Sequence, residues 1–464
     1  MTDIDAILDN ARYLRNVRPV DPEEIYEYVD GQPHPAVVRR TLREHAFELG
    51  LREREDGAFV PVESGTVTPT FEGVERFPES YARRFEDLLV EAYGAGWPDD
   101  DGGDLLRERI DRLKEAYFDD EAVTYDADTA LAYGLYHLPD YYAAVQYVLD
   151  ELGREGLLSR RLRVLDVGAG TGGPALGLHD YLPEASLVDY GAIEPSAAGD
   201  VLEHMLDGTR LGFDVTVHRE TAREHATEGG YDLVVLGNVL SELADPAEVA
   251  TTYLDALADD GTLLALSPAE ERTATGLRAV ERELLDRRPA ATVYAPTVRL
   301  WPDEEPDDYG WTFRREPDLE APSFQRRLDE AADGDGTYRN VDVQFAYLLA
   351  RTDGRRVVEH TPDPDRATRM ASMTDHVTER VDLVALKLSP DLAEDGNPLF
   401  KISDGSESVD HYAVLTRESV LNEPLRSAPY GSLLRFENAL VLWNDDETAY
   451  NLVVDAETVV DRVT

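Results

Sequence analysis

The stretch Val164–Leu178, VLDVGAGTGGPALGL, decides the fold. An apolar run from Val164 to Val167 holds a single carboxylate, Asp166. Glycines follow at 168, 170, 172 and 173, and apolar residues then resume. A strand that turns through glycines into a helix N-terminus lets backbone N–H groups approach a ligand closely. Gly168, Gly170 and Gly173 satisfy the G-x-G-x-x-G spacing of dinucleotide sites, and Gly168, Gly170 and Gly172 equally satisfy G-x-G-x-G. Spacing alone leaves both ligands open, and a structural turn without ligand as well. Asp166 tips the balance: a carboxylate at the end of the strand repels a pyrophosphate and suits a cation.

S-Adenosylmethionine is such a ligand, with positive charge on its sulfonium and its amino group. D-x-G-x-G-x-G is the signature of class I S-adenosylmethionine-dependent methyltransferases, and DVGAGTG matches it fully. Glu194 ends the next strand in YGAIEPS, where a carboxylate accepts hydrogen bonds from both ribose hydroxyls; NAD would be served equally. Asn238 follows the fourth strand in YDLVVLGNVLSEL, where it orients donor or acceptor, or simply caps the loop. The expected cofactor-binding set is therefore Asp166, Gly168, Gly170, Gly172, Glu194 and Asn238. No catalytic residue is assigned, because the sulfonium is already a strong electrophile and positioning dominates.

Working outward, residues 161–351 alternate short β runs with helical stretches. The expected strands are RVLDVG, LVDYGAIE, DVTVH, DLVVLGN, TLLALS, TVYAP and VQFAYLLAR. Such alternation predicts an α/β, Rossmann-like sheet covered on both faces. A Pro- and Asp-rich insertion separates the last two strands. Residues 66–160 read as helical, with WPDDDGGD as a solvated linker. Residues 1–65 read as helices closed by a hairpin at Asp56-Gly57, a winged-helix-like module. Its Arg39, Arg40 and Arg43 reach phosphates or form a solvated face. Residues 380–464 carry five short strands, the pattern of an OB-like barrel. There Phe400, Tyr412, Phe436, Trp443 and Tyr450 are either base-stacking residues or core.

Composition bounds the rest. Net charge is −50, from 95 acidic against 45 basic residues, and lysine occurs only at Lys114, Lys387 and Lys401. The acid is spread over patterned segments, so a folded, halophilic carboxylate surface is expected rather than a disordered tail. At about 1 M salt the Debye length is about 3 Å, so this charge argues little against an RNA partner. Cysteine is absent. That excludes disulfides, cysteine-ligated iron–sulfur clusters and the covalent route to C5-methylpyrimidine. The Asn-Pro-Pro-aromatic loop of exocyclic amino methylation is missing too. No run is apolar enough to span a membrane, and MTDIDAILDN is no targeting signal; a cytoplasmic protein is expected.

Several segments together resemble the Rsm-type methyltransferase-like family of the small ribosomal subunit. These are LPDYYAAVQYVLDEL, VLDVGAGTGGPA, YDLVVLGNVLSEL, GTLLALSP, VYAPTVRLWP, YGWTFRR and VQFAYLLAR, in family order over about residues 130–351. The family's iron–sulfur cysteines are absent: Thr297 and Thr312 stand in their places, and no cluster is expected. SPAE replaces the family's Glu-Pro-Gly. The resemblance implies small-subunit rRNA as partner, in ribosome assembly or translation. The expected function is RNA methylation; a non-catalytic assembly factor keeping the methyltransferase fold, and a nucleotide-dependent oxidoreductase, are the alternatives.

Overall fold

The computed structural model describes residues 4–119, 121–296, 299–302, 304 and 310–463. They form two compact units: 1–237 with 256–258 and 317–341, and 238–255 with 259–316 and 342–464.

The first unit opens with α1 (Ile4–Leu14), α2 (Pro22–Tyr28), α3 (Pro35–Glu44) and α4 (Ala46–Leu49). Asp21 caps α2, accepting from Glu23 N at 2.9 Å, with Pro22 at the first helical position. β1 (Leu51–Glu53) and β2 (Phe59–Pro61) pair as the expected hairpin, and Val20, between α1 and α2, bridges to Phe59. Ile7, Ile25, Val38, Leu42 and Phe59 close a core with no exposure. The α3 arginines are already occupied. Arg43 forks onto the Glu53 carboxylate with Arg39 3.6 Å from it, and Arg40 meets Glu44 at 2.7 Å.

Three helices follow: α5 (Glu79–Tyr93), α6 (Asp101–Asp119) and α7 (Ala127–Arg154). The segment expected to be a solvated linker is not one. Trp97 is fully buried with Arg327 over its ring at 5.3 Å, and Asp101–Asp104 already belong to α6. The acidic neighbours hid one aromatic large enough to nucleate its own packing. α7 is capped by Asp126 and carries Pro139 inside it. Proline has no N–H for the carbonyl four residues back. Gln325, itself fully buried, supplies the missing donor to Leu135 O at 2.9 Å.

The Rossmann-like sheet contains β3 (Arg161–Val167), β4 (Leu187–Ile193), β5 (Phe213–His218), β6 (Tyr231–Gly237), β7 (Leu257–Pro268), β8 (Thr292–Ala295), β9 (Arg314–Glu316) and β10 (Val343–Arg351). Its order is β5-β4-β3-β6-β7-β10-β8, with β9 on β10. β3 to β6 pair in parallel, whereas β10 is antiparallel to β7, β8 and β9. α8 (Gly173–Tyr181), α9 (Ala198–Leu206), α10 (Pro246–Leu254), α11 (Glu271–Arg287) and α12 (Ser323–Glu330) fill the crossovers.

The second unit ends in a closed barrel of β11 (Arg380–Lys387), β12 (Leu399–Ser403), β13 (His411–Leu415), β14 (Leu433–Asn444), β15 (Ala449–Val454) and β16 (Val459–Arg462), with α13 (Pro424–Ser427) between β13 and β14. The order β11-β12-β13-β15-β14 closes through β11–β14, and β13–β15 is the parallel pair, as in an OB fold. Phe400, Phe436 and Tyr450 are core, so three of the five stacking candidates are withdrawn from any ligand. Trp443 keeps 37% of its surface exposed and Tyr412 is half-buried.

The barrel also holds part of the insertion. Asp404, with no exposure, accepts from Trp301 Nε1 at 2.8 Å and Met370 N at 3.0 Å, while its carbonyl accepts from Leu300 N at 3.1 Å. Leu300 and Trp301 pack against Val384, Leu386 and Leu433. Thr312, in one of the cysteine positions of the resembled family, is buried; Thr297, in the other, lies outside the described residues.

Candidate functional site

The site is built where β3 stops. Gly168, Gly170 and Gly172 have φ of +71°, +55° and +95°, the left-handed region that glycine enters without a Cβ penalty. Gly173 lies in α8, and a Cβ there would meet Tyr141 Cβ at 2.8 Å; one on Gly177 would meet Val145 Cγ1 at 2.3 Å. The glycines that shape the loop are thus 168, 170 and 172. Gly173 and Gly177 instead let α8 approach α7.

The loop is stitched to the end of β4. Gly168 N and Ala169 N donate to Ile193 O at 2.9 and 3.1 Å, and Gly170 N donates to Glu194 Oε2 at 2.9 Å. The other Glu194 oxygen accepts from Ser196 N at 2.9 Å and Ser196 Oγ at 2.5 Å. Oε1 is filled by its two donors, whereas Oε2, with one, keeps acceptor capacity. Asp166, Gly168, Gly170, Gly172 and Glu194 therefore lie together where β3 and β4 end. Asn238 opens the other compact unit; it follows β6 in a left-handed conformation (φ +60°) and donates its N–H to Leu266 O at 3.0 Å. That backbone costs a non-glycine residue energy.

Asp166 differs from the sequence-based picture. It has no exposed surface, and Oδ2 accepts from Tyr190 OH at 2.5 Å. Oδ1 is enclosed without a hydrogen-bond partner. Direct hydrogen bonding to a ligand is closed to it as placed; it can act as a charge beneath the loop. Burial pushes its carboxyl up to about 7, Tyr190 pulls it down, and the Glu194 charge pushes it up. An unpartnered buried oxygen is costly, and positive charge above the loop offsets part of that cost through space. This buried acid, the three left-handed glycines and Glu194 fit S-adenosylmethionine.

Sequence reasoning missed one face of the site. Tyr133, His137 and Tyr141 recur every four residues along α7. A Cβ on Gly170 would lie 3.8 Å from the Tyr133 ring, and His137 stacks on Tyr141 at 5.1 Å and 13°. His137 Nδ1 is 3.5 Å from Asp140 Oδ2 and 3.3 Å from Asn340 Nδ2; Asn340 also donates to Asp140 at 3.0 Å. Asn340 N in turn donates to Gln325 Oε1 at 3.0 Å, tying this cluster to the Pro139 repair. Burial raises the Asp140 carboxyl, and His137 and Asn340 oppose the rise. The signal available in the sequence was Pro139 inside a helix, flanked by a histidine and an aspartate.

Comparison with known proteins closes the question of the glycine loop. Residues 136–320 match a methyltransferase domain. Residues 4–55 and 371–463 match the N-terminal and C-terminal domains of a domain of unknown function, DUF8157. No curated protein matches the chain. Similar solved structures include a S-adenosylmethionine-dependent methyltransferase from Clostridium acetobutylicum, 10% identical over 35% of this chain and 57% of that one, TM-score 0.23. Another is a SAM-dependent methyltransferase from Aquifex aeolicus, 14% identical over 44% and 88%, TM-score 0.26. A third is precorrin-6y C5,15-methyltransferase from Geobacter metallireducens, 14% identical over 41% and 78%, TM-score 0.25. The chain spans little more than half the length of the first, and likeness this distant says nothing of substrate. A dinucleotide fold runs its six strands in the order 3-2-1-4-5-6; here the last strand, antiparallel, is inserted before the final position. With the domain match, that order makes residues 136–320 part of a S-adenosylmethionine-dependent methyltransferase domain of class I fold.

Proposed function

We propose that this chain transfers a methyl group from S-adenosylmethionine to RNA, with small-subunit ribosomal RNA as the acceptor and ribosome assembly or translation as the setting. The observation that carries the donor half is Asp166: a fully buried carboxylate with one unpartnered oxygen, under a loop of left-handed glycines. The bound cofactor supplies an electrophilic methyl group on sulfur. Glu194 would hold the ribose, the loop backbone the rest of the donor, and Asp166 the balancing negative charge below it. His137, braced by Asp140 and Asn340, is a titratable group on the α7 face beside the loop, suited to position an acceptor or take its proton. The RNA half is supported by the ordered segments shared with the Rsm-type family and by the OB-like barrel, a fold whose face takes single strands.

Mapping methylated nucleotides in rRNA with and without the gene, joined to transfer of labelled methyl to purified small subunits, tests the proposal. The expected result is one modification lost in the deletion and restored in vitro. Unchanged rRNA together with intact S-adenosylhomocysteine binding would instead identify a non-catalytic assembly factor.

A further inference from the structure

A cleft of about 640 Å³ lies within the first unit, away from the glycine loop. Arg161 opens β3 and Gly168 follows its other end, so cleft and glycine loop are separated by the strand's length, about 20 Å at about 3.3 Å per residue. The floor is Gly50, left-handed at φ +60°, where a Cβ would lie 3.9 Å from Nη1 of both Arg15 and Arg161. The two guanidinium nitrogens can therefore be no more than twice that distance apart. Arg15 donates to Leu49 O, and Arg161 lies over the Phe47 ring at 4.4 Å.

Most arginines of the N-terminal module are paired with an acid: Arg12, Arg18, Arg39, Arg40, Arg43 and Arg54 each have a carboxylate within ion-pair distance. Among the described residues, Arg52, which does not line the cleft, has none, and neither do Arg15 and Arg161. The two acids lining the cleft are engaged elsewhere: Glu63 with Arg160 at 2.9 Å, and Asp232 accepting Arg163 N at 2.7 Å. In a chain with 95 acidic residues against 45 basic ones, two neighbouring guanidiniums without a carboxylate partner favour an anion between them.

We propose that this cleft binds the phosphate of a nucleotide unit. Planar guanidiniums fork onto phosphate oxygens, while the Phe47 ring stacked with Arg161 offers a flat surface for a base. The volume falls in the range of small-ligand sites, more than a bare ion needs. The nucleotide is one unit of an RNA strand, which rests on the RNA reading above; a free mononucleotide shares the same chemistry. This surface, and not the α3 arginines, would then carry phosphate contact in the N-terminal module.

The test uses the full chain in about 2 M potassium chloride. Fluorescence anisotropy follows a single-stranded RNA oligonucleotide, calorimetry follows AMP, and S-adenosylhomocysteine titration reports on the donor site. Arg15→Gln and Arg161→Gln should each weaken the oligonucleotide about tenfold or more. Arg40→Gln, exposed and paired with Glu44, should stay within about twofold, and S-adenosylhomocysteine affinity should not move. Arg161→Lys, which keeps the charge and loses the fork, should fall between. Wild type that binds RNA with no loss in either Gln variant overturns the cleft and leaves the RNA reading standing. Wild type that binds AMP with the same variant sensitivity but no RNA overturns the RNA reading and assigns the cleft to a free nucleotide. Binding of neither overturns the proposal.

Discussion

Asp166→Asn reads the donor site most directly. Asparagine keeps an acceptor for Tyr190 OH and removes the titration. In the wild type the folded carboxyl sits at about 7, against 3.8 for the free group. Between those values the folded chain holds a proton that the unfolded chain has lost. Stability therefore falls as pH rises from about 4 to about 7, and levels off above that. At about 1.4 kcal/mol per unit, some three units come to about 4 kcal/mol. The Asn variant lacks this slope, so relative to wild type it gains up to about 4 kcal/mol between pH 4 and pH 7.5. Other acids titrate in the same range, but they cancel in the difference between variants.

Ligand binding runs the other way, because the cationic methionine end calls for the ionised carboxylate. One unit below its pKa the group is about a tenth ionised, so wild-type affinity for S-adenosylhomocysteine should drop about tenfold from pH 8 to pH 6. Adenosine, which has no methionine end, should show no such drop, and the Asn variant should bind S-adenosylhomocysteine weakly and evenly. Denaturant titration and calorimetry in molar salt measure both halves. Equal wild-type affinities at pH 6 and 8 would refute the reasoning. So would a drop that survives in the Asn variant, which would belong to a group other than Asp166.

Glu194→Ala should cost adenosine and S-adenosylhomocysteine alike, about one to two powers of ten at about 1.5–3 kcal/mol per charged hydrogen bond, by calorimetry. Gly177→Ala drives a methyl group into Val145 and the Tyr142 carbonyl, 2.3 and 2.6 Å away, and should lower stability by about 1–3 kcal/mol in thermal unfolding. Gln325→Leu orphans the Leu135 carbonyl and should cost about 1–3 kcal/mol, read by denaturant titration. Protein purified without oxygen should be colourless and free of stoichiometric iron; a charge-transfer band with bound iron would reveal ligation by other residues.

The sheet was legible because its strands are near-continuous apolar runs, and periodicity reads those directly. β9 and β16 were not. Arg314–Glu316 contains no apolar residue, and Val459–Arg462 is four residues long; both are strands only because a neighbour offers an edge. Which glycines shape the loop was undecidable from spacing, since spacing carries no φ. The barrel aromatics were partly decidable. Arg435 and Glu437 flank Phe436, and a period of two turns Phe436 inward when its neighbours face solvent. The α7 face was hidden for a different reason. Tyr133, His137 and Tyr141 look like an ordinary helical stripe until the loop they flank and the distant Asn340 are in place.

The position of Asp404 changes how the barrel must be tested. Deleting residues 380–464 would remove any stacking surface, but also the acceptor of Trp301 Nε1, the carbonyl that holds Leu300, and the Leu388 carbonyl that accepts from Phe313 N. The insertion would lose its anchor and uncover Leu300 and Trp301, so lost RNA binding in a truncation would not speak to base contact. Substitution at the surface separates the two roles. Trp443 pairs across strands with Tyr450, donates Nε1 to Asp445 Oδ1 at 2.8 Å, and keeps 37% of its surface in solvent. Stacking on an aromatic contributes about 1–3 kcal/mol per base by alanine substitution. Trp443→Ala should therefore weaken a single-stranded RNA oligonucleotide by about tenfold in anisotropy at molar salt, with thermal unfolding little changed. Asp404→Ala should do the opposite, lowering the unfolding temperature and shifting Trp301 fluorescence. If RNA affinity stays level in both Trp443→Ala and Tyr412→Ala, the barrel is a clamp for the insertion and takes no base.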